Sequence, residues 1–192
     1  MKSYARLTPQ TRRSQLLELG RRLFLDRPYD DLSMDEVALR AGVSKGLLYH
    51  YFPTKREYYM AVLNAAVDEM IEIVQPQLDL APEDQMRVSL DRYLAFVDEN
   101  AISYAAVLRG GIGSDPNIVA IADRFRNAAF ELIITQAPGP VTPLVEVAVR
   151  GWIGFVEAVS LDWLRTRRPP REDLVDLLTD TLTESLRIWG SG

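Results

Sequence analysis

The chain lacks cysteine altogether, which excludes disulfides, thiolate nucleophiles and cysteine-ligated metal sites. It also has only one histidine, His50. A histidine zinc site or a histidine-based catalytic triad would therefore need ligands that the chain does not have. We expect no enzyme, no metal site and no cofactor.

Long apolar runs are missing as well. No stretch approaches the ~20 apolar residues that a membrane-spanning helix requires, and the first fifteen residues contain no apolar core of a signal peptide. These absences predict a cytoplasmic protein without a membrane partner. What is present, 47% hydrophobic and 26% charged residues in 192, is typical of an ordinary globular chain.

The net charge of −5 is distributed unevenly. Residues 1–56 contain eleven Lys and Arg residues against six Asp and Glu residues, a balance of +5, whereas residues 57–192 have a balance of −10. A basic segment joined to an acidic one is typical of a protein in which one part meets a polyanion and the rest stays away from it.

Helix start and stop signals follow one another along the whole chain. For example, Ser33 and Glu36 are spaced as a capping box that satisfies amides at a helix start, and Gly42 ends the apolar pattern that follows. Strand-like alternation is missing. The sequence predicts an all-α fold of about nine helices. We expect a three-helix helix-turn-helix DNA-binding domain at 1–55 and, beginning with a connector helix, a ligand-binding and dimerisation domain at 56–192.

Residues 33–52 have the form of a helix-turn-helix. A short helix ends at a glycine, a tight turn follows, and Ser44 caps a second short helix whose inward edge is Leu48 and Phe52. In this motif the N-terminal part of the second helix enters the major groove. A lysine there suits phosphate or guanine, tyrosine and histidine suit phosphates, and leucine suits a thymine methyl. The predicted DNA-facing side chains are Lys45, Gly46, Leu47, Tyr49, His50 and Tyr51.

The residues around this motif match a known family in order and spacing. Residues 23–24 (LF), 29–38 (YDDLSMDEVA) and 41–55 (AGVSKGLLYHYFPTK) resemble the DNA-binding head of the TetR family of transcriptional regulators. The rest resembles the family only in helix count and length. Leu47 is a departure, because members commonly have Thr or Ser there, so the operator sequence cannot be transferred from a relative. The resemblance implies that the DNA contacts are Ser44, Lys45, Tyr49, His50, Tyr51 and, as a phosphate contact, Lys55.

The two long C-terminal helices carry apolar strips. The resemblance implies that they pair with their mates across a two-fold axis as a four-helix bundle, so we expect a homodimer. The alternative is that the strips pack only within one chain. The residues expected at the dimer interface are Val149, Val156, Trp163, Leu174, Leu178 and Leu182.

The resemblance also implies a ligand cavity among the middle helices. Each aromatic candidate is alternatively plain core, and Arg109 either binds an anionic ligand or pairs with Asp115 or Asp123. The glycine-rich loop at 110–114 follows a helix and lacks the lysine of a nucleotide loop, so we expect no nucleotide site. The expected lining residues are Tyr93, Phe96, Tyr104, Leu108, Arg109, Phe125, Trp152 and Phe155.

The sequence as a whole predicts a dimeric transcriptional regulator. We expect a repressor that a small-molecule effector releases from a pseudo-palindromic operator in double-stranded DNA, while activation instead of repression stays open. The alternative is a helical ligand-binding or scaffold protein without specific DNA binding. Steep salt dependence of DNA binding distinguishes the two.

Overall fold

A computed structural model describes residues 8–25, 27–109 and 116–190, and within them the chain forms nine α-helices and no strand. This confirms the predicted all-α fold. The helices are α1 (Pro9–Leu25), α2 (Met34–Ala41), α3 (Lys45–Tyr51), α4 (Lys55–Ile73), α5 (Pro82–Glu99), α6 (Ala101–Arg109), α7 (Pro116–Gln136), α8 (Pro143–Thr166) and α9 (Arg171–Trp189). A 3₁₀ turn, Tyr29–Asp31, lies between α1 and α2.

The chain divides into two compact units between Ala66 and Val67, inside α4. We call the first unit the head and the second the body. None of the helices in the described ranges combines the length and the apolar character needed to cross a bilayer.

Side-chain caps begin the helices of the head as the sequence predicts. Ser33 Oγ accepts a hydrogen bond from the Glu36 backbone N–H at 3.1 Å, and Ser44 Oγ accepts one from the Leu47 N–H at 3.2 Å. Between them Gly42 has a φ of 63°, a left-handed conformation that glycine adopts without strain. These local interactions set where α2 ends and α3 begins.

Only one of the two hydrogen bonds of a capping box forms at Ser33, the one from the Glu36 amide. The carboxylate of Glu36 does not return to the Ser33 amide but lies 2.6 Å from an Nη atom of Arg27 and 3.0 Å from one of Arg40. Two guanidinium groups outcompete one exposed amide for this carboxylate, and the Arg27 hydrogen bonds are the main reason that the Glu36 pKa is lowered. Glu36 therefore connects α2 to the segment before it.

Tyr58 joins α4 to α1 in the interior of the head. Its ring is fully buried, and its hydroxyl donates a hydrogen bond to the Leu16 carbonyl at 2.7 Å. The close approach depends on Gly20, because a Cβ atom there would lie 2.5 Å from the Tyr58 hydroxyl and 2.5 Å from a methyl of Val62. Glycine is needed here for space and not for an unusual φ.

The apolar strips of α8 and α9 are buried in the core of the body. The six residues expected at a dimer interface are instead buried within one chain, each with at most 7% of its surface exposed. The physical reason is that α8 and α9 pack on each other and on α5 and α7, so their most apolar sides face inward. The residues that belong to the core of one chain, and not to the expected dimer interface, are Val149, Val156, Trp163, Leu174, Leu178 and Leu182.

The Gly20 contact leads to a first prediction. Gly20→Ala should destabilise the head by about 1–3 kcal/mol, because the added methyl overpacks the α1–α4 contact. Gly46→Ala is the matched control, since a Cβ there meets nothing within 4 Å, and alanine is the better helix former.

The measurement is hydrogen exchange of the α1 and α4 amides. We expect faster exchange in Gly20→Ala and unchanged or slower exchange in Gly46→Ala. Equal exchange in the two variants would contradict the packing argument.

Candidate nucleic-acid interface and body cavity

Helix α3 is anchored to the head by one edge. Leu48 is completely buried and the C-cap residue Phe52 is 2% exposed, whereas Leu47 and Tyr49 are 36% and 37% exposed. Ser44, Lys45, Gly46 and His50 are also exposed, and Tyr51 is half-buried with its ring against that of His50. The sequence-predicted DNA-facing residues of α3 thus lie together on one outward surface, which we call the α3 outer face.

Lys45 has an acidic partner on the neighbouring helix. Its Nζ atom lies 2.7 Å from a carboxylate oxygen of Asp35 and 5.9 Å from the ring centre of Tyr49. The hydrogen bond to Asp35 is the main reason that the Lys45 pKa is raised. Sequence reasoning missed Asp35, because the two residues are ten apart and meet only through the helix crossing.

Lys55 is the first residue of α4, and its side chain is held by contacts with the 3₁₀ turn between α1 and α2. Its ammonium group donates a hydrogen bond to the Asp30 carbonyl at 3.3 Å and lies 4.2 Å from the ring centre of Tyr29. These contacts fix the end of a long, otherwise mobile side chain. The start of α4, capped by Thr54 through a 3.0 Å bond from the Glu57 amide, presents the remaining helix amides beside it.

An apolar cavity of about 70 Å³ lies inside the body. Of the residues expected to line it, the structure brings together Tyr93, Phe125 and Trp152. The rings of Tyr93 and Phe125 stack, with centres 5.9 Å apart. The other lining residues are Val74, Met86, Ser89, Leu90, Ala129, Leu132, Ile133, Ile153, Val156 and Glu157.

The remaining expected lining residues lie elsewhere. Phe155 is 37% exposed on the outer side of α8, because the lining residues of this helix, Trp152, Ile153, Val156 and Glu157, cover an arc of about 140° and Phe155 lies about 130° from its middle. Phe96 faces a shallow groove on another side of α5, and Leu108 is half-buried in α6 away from the lining. Tyr104 reaches the cavity wall through a hydrogen bond with Tyr93.

Two expectations concerned Arg109 and the loop that follows it. The Arg109 side chain, Asp115 and the loop 110–114 lie outside the described residues. Asp123, the other acidic partner considered for Arg109, is bonded to Arg126 at 2.8 Å.

Glu157 is a polar lining residue that sequence reasoning missed. It is bound by Arg126 through two hydrogen bonds of 2.8 and 2.9 Å. A glutamate one residue after Val156 on a largely apolar helix was the available signal. Elsewhere in the described ranges, no group of three or more His, Asp or Glu side chains is arranged to hold a metal ion.

The outer side of α8 carries an apolar stripe that no part of the described chain covers. Leu144 is 59% and Val147 is 68% exposed, and a Cβ at Gly151 or Gly154 would meet nothing within 4 Å. Together with exposed Phe155 and Ala158 these residues recur at helical spacing. We call them the α8 outer stripe.

Two family models match the chain in these two units. The model described as "Bacterial regulatory proteins, tetR family" matches residues 16–62, and the one described as "Tetracyclin repressor-like, C-terminal domain" matches residues 82–184. The first match includes the α3 outer face, and the second includes most of the cavity lining.

Individual relatives give the same result. The HTH-type transcriptional activator FasR of Mycolicibacterium smegmatis is 31% identical over 178 residues, 88% of this chain and 79% of FasR. A tetR-family transcriptional regulator from Streptomyces coelicolor has a TM-score of 0.86 at 32% identity, over 95% of this chain and 83% of that one. FadR from Bacillus subtilis, solved in complex with stearoyl-CoA, shares the fold, with a TM-score of 0.70 at 13% identity over 90% of this chain and 98% of that one.

The Lys45–Asp35 pair leads to a second prediction. Asp35→Asn should tighten binding to duplex DNA about threefold, because Lys45 no longer has to leave a carboxylate to reach a phosphate. Asp79→Asn makes the same change of net charge in an exposed loop of the body and should leave binding unchanged.

Fluorescence anisotropy with a labelled duplex measures both affinities. If Asp79→Asn tightens binding as much as Asp35→Asn does, the gain is due to net charge and the pairing argument is wrong.

Proposed function

Since this chain belongs to the TetR family of DNA-binding transcriptional regulators, we propose that it binds an operator through the α3 outer face and responds to an apolar effector in the body cavity. A single observation carries the first half of this proposal. Leu48 and Phe52 hold α3 against the head, and the side chains that suit phosphates and base edges lie on the opposite surface. Since chromosomal DNA is the partner, we propose that the protein works in the cytoplasm.

The contacts on DNA follow from the chemistry of this surface. Lys45 and Lys55 neutralise phosphates, and the hydroxyls of Ser44 and Tyr49 donate hydrogen bonds to phosphate oxygens. The remaining proposed contacts are Gly46, which allows close approach, Leu47 toward a thymine methyl, and His50 and Tyr51 toward the backbone.

We propose that two chains pair through the α8 outer stripe. Solvent-exposed apolar stripes of this kind mark interaction surfaces, and glycine at two positions allows a helix of the partner to approach closely. A second copy supplies a matching stripe across a two-fold axis. The dimer would then present two α3 helices to half-sites about one DNA turn, ~34–36 Å, or a multiple apart.

The lining of the cavity supports an apolar effector. Its walls are aliphatic and aromatic side chains apart from a few polar groups. The ligand in the FadR structure, stearoyl-CoA, carries a long hydrocarbon chain, which is consistent with an effector of this character. The cavity and the operator-binding head are joined by α4, which belongs to both units.

Regulation requires that the effector favour one arrangement of α4 over another. Allosteric coupling of about 1–3 kcal/mol would change operator affinity roughly 5–150-fold. We propose that the effector lowers this affinity and so relieves repression, because a dimer bound over a promoter blocks it. The effector acts only through its preference between the two arrangements.

A third prediction concerns Lys45. Lys45→Ala should weaken operator binding at least about tenfold and make the plot of log affinity against log salt shallower by roughly 1.8, since each chain of the dimer loses one phosphate contact. Arg165→Ala removes the same charge from an exposed position on α8 and should change neither the operator affinity nor the salt slope.

Tyr49→Phe complements this test. It keeps the charge, so it should weaken binding while leaving the salt slope unchanged. If operator affinity is indifferent to both Lys45→Ala and Tyr49→Phe, the chain is a helical ligand-binding protein without this DNA function.

A fourth prediction concerns the α8 outer stripe. Val147→Asp places a charge within the proposed interface, at its most exposed apolar side chain, and should yield a folded monomer whose operator affinity falls at least about tenfold. Leu78→Asp, at a position that is 84% exposed in the body, is the matched control and should remain dimeric.

Light scattering after size exclusion gives the mass of each variant, with circular dichroism as the check of folding. A dimeric Val147→Asp, or a wild-type protein that is monomeric at micromolar concentration, would refute the interface.

A further inference from the structure

One arginine of the head interrupts the apolar pattern on the buried side of α1. Leu16, Gly20 and Leu23 are buried on this side, and Arg13 precedes them at the spacing i, i+3, i+7, i+10 that marks one face of a helix. An apolar residue is expected at such a position, yet Arg13 is charged and exposed. A residue that breaks an otherwise consistent pattern in this way indicates a role other than packing.

The guanidinium of Arg13 lies over an aromatic ring at the end of α3. Its Cζ atom is 5.4 Å from the ring centre of Phe52, the C-cap residue of that helix. A cation–π contact orients the side chain and leaves the N–H donors of the guanidinium available to another partner. The ring of Tyr51, which belongs to the α3 outer face, has its centre 6.4 Å from that of Phe52. The contact therefore places a cation of α1 beside the end of α3.

Arg13 also differs from most basic residues of the head in its charge environment. No carboxylate among the residues that the structure describes lies within ion-pair distance of Arg13. Lys55 is similar, because it is held over the ring of Tyr29 and has no carboxylate partner in the same part of the chain. Other basic residues of the head form ion pairs of 3.1 Å or less with acidic side chains, namely Arg21, Arg22, Arg27, Arg40 and Lys45.

We propose that Arg13 contacts a phosphate of the operator backbone and so extends the DNA-binding surface from α3 and α4 to α1. This inference rests on the proposed function, in which the α3 outer face meets DNA, and it adds a contact on a third helix. Phosphate is the anion that a duplex supplies along its whole length, and a planar guanidinium binds it through two parallel hydrogen bonds. Because the contact is made to the backbone, it strengthens binding without selecting a base sequence.

The test compares Arg13→Ala with Arg22→Ala in the full-length protein. Arg22 is the matched control, because it lies nine residues further along α1 on the opposite side of the helix and its side chain is 70% exposed. Fluorescence anisotropy measures binding over a range of salt concentrations to two labelled duplexes of equal length. One duplex is selected from a random library by wild type, and the other has the same base composition in shuffled order.

Arg13→Ala should weaken binding to both duplexes by the same factor, at least about threefold, so that the ratio of the two affinities is unchanged. The plot of log affinity against log salt should become shallower by roughly 1.8, since each chain of a dimer loses one phosphate contact. Arg13→Lys keeps the charge and should retain the wild-type salt slope. Arg22→Ala should change neither the affinities nor the slope.

The proposal is overturned if Arg13→Ala binds DNA as wild type does, or if Arg22→Ala has the same effect. It is also overturned if Arg13→Ala melts at a lower temperature and loses affinity only for the selected duplex, because Arg13 then merely supports the packing of Phe52. Failure of the proposed function gives a different result: wild type then prefers no duplex of the library and Lys45→Ala binds as wild type does, which overturns both claims. A normal effect of Lys45→Ala beside a silent Arg13→Ala overturns only this one.

Discussion

The burial of Leu48 in the head is the constraint on which the proposed mode of DNA recognition depends. Helix α3 has only seven residues, and isolated helices shorter than ~12–15 residues are marginal in water. Its orientation is therefore set by tertiary packing, with Leu48 and Phe52 in the head core and the Ser44 cap at the start. Because one edge is fixed in this way, the polar and aromatic residues between these anchors lie outward as a group, and their direction follows from the apolar spacing.

In the body, too, tertiary packing decides which side of each helix is buried and which is exposed. The inward sides of α8 and α9 form the core of a single chain, and the apolar residues on a different side of α8 stay exposed. The cavity lies where that packing is incomplete, between α5, α7 and α8. Its wall is formed mainly by aliphatic and aromatic side chains, so the same helices form both the core and the lining of the cavity.

The sequence predicts where the helices begin and end, but it does not predict which residues of different helices contact one another. The reason is physical. Caps such as Ser33, Ser44 and Thr54 act within four residues, so local spacing is enough to place them. An apolar strip such as Leu174 to Leu182 shows that a face is buried but not whether the same chain or a second copy buries it. Pairs between distant residues depend on helix crossings, which is why Asp35 beside Lys45 and Glu157 beside the cavity went unpredicted, whereas Phe155 was assigned to a cavity that it does not reach.

The most direct test uses the absence of cysteine. Leu47→Cys gives the chain a unique thiol on the α3 outer face, to which an iron–EDTA cleavage reagent can be attached, and Leu78→Cys gives the same label at an exposed position in the body. On a duplex that the protein has selected from a random library, the label at residue 47 should cut in two clusters about one helical turn, ~10 base pairs, or a multiple apart. The label at residue 78 should not cut. No cleavage from residue 47, or equal cleavage from both labels, would contradict the orientation of α3 on DNA.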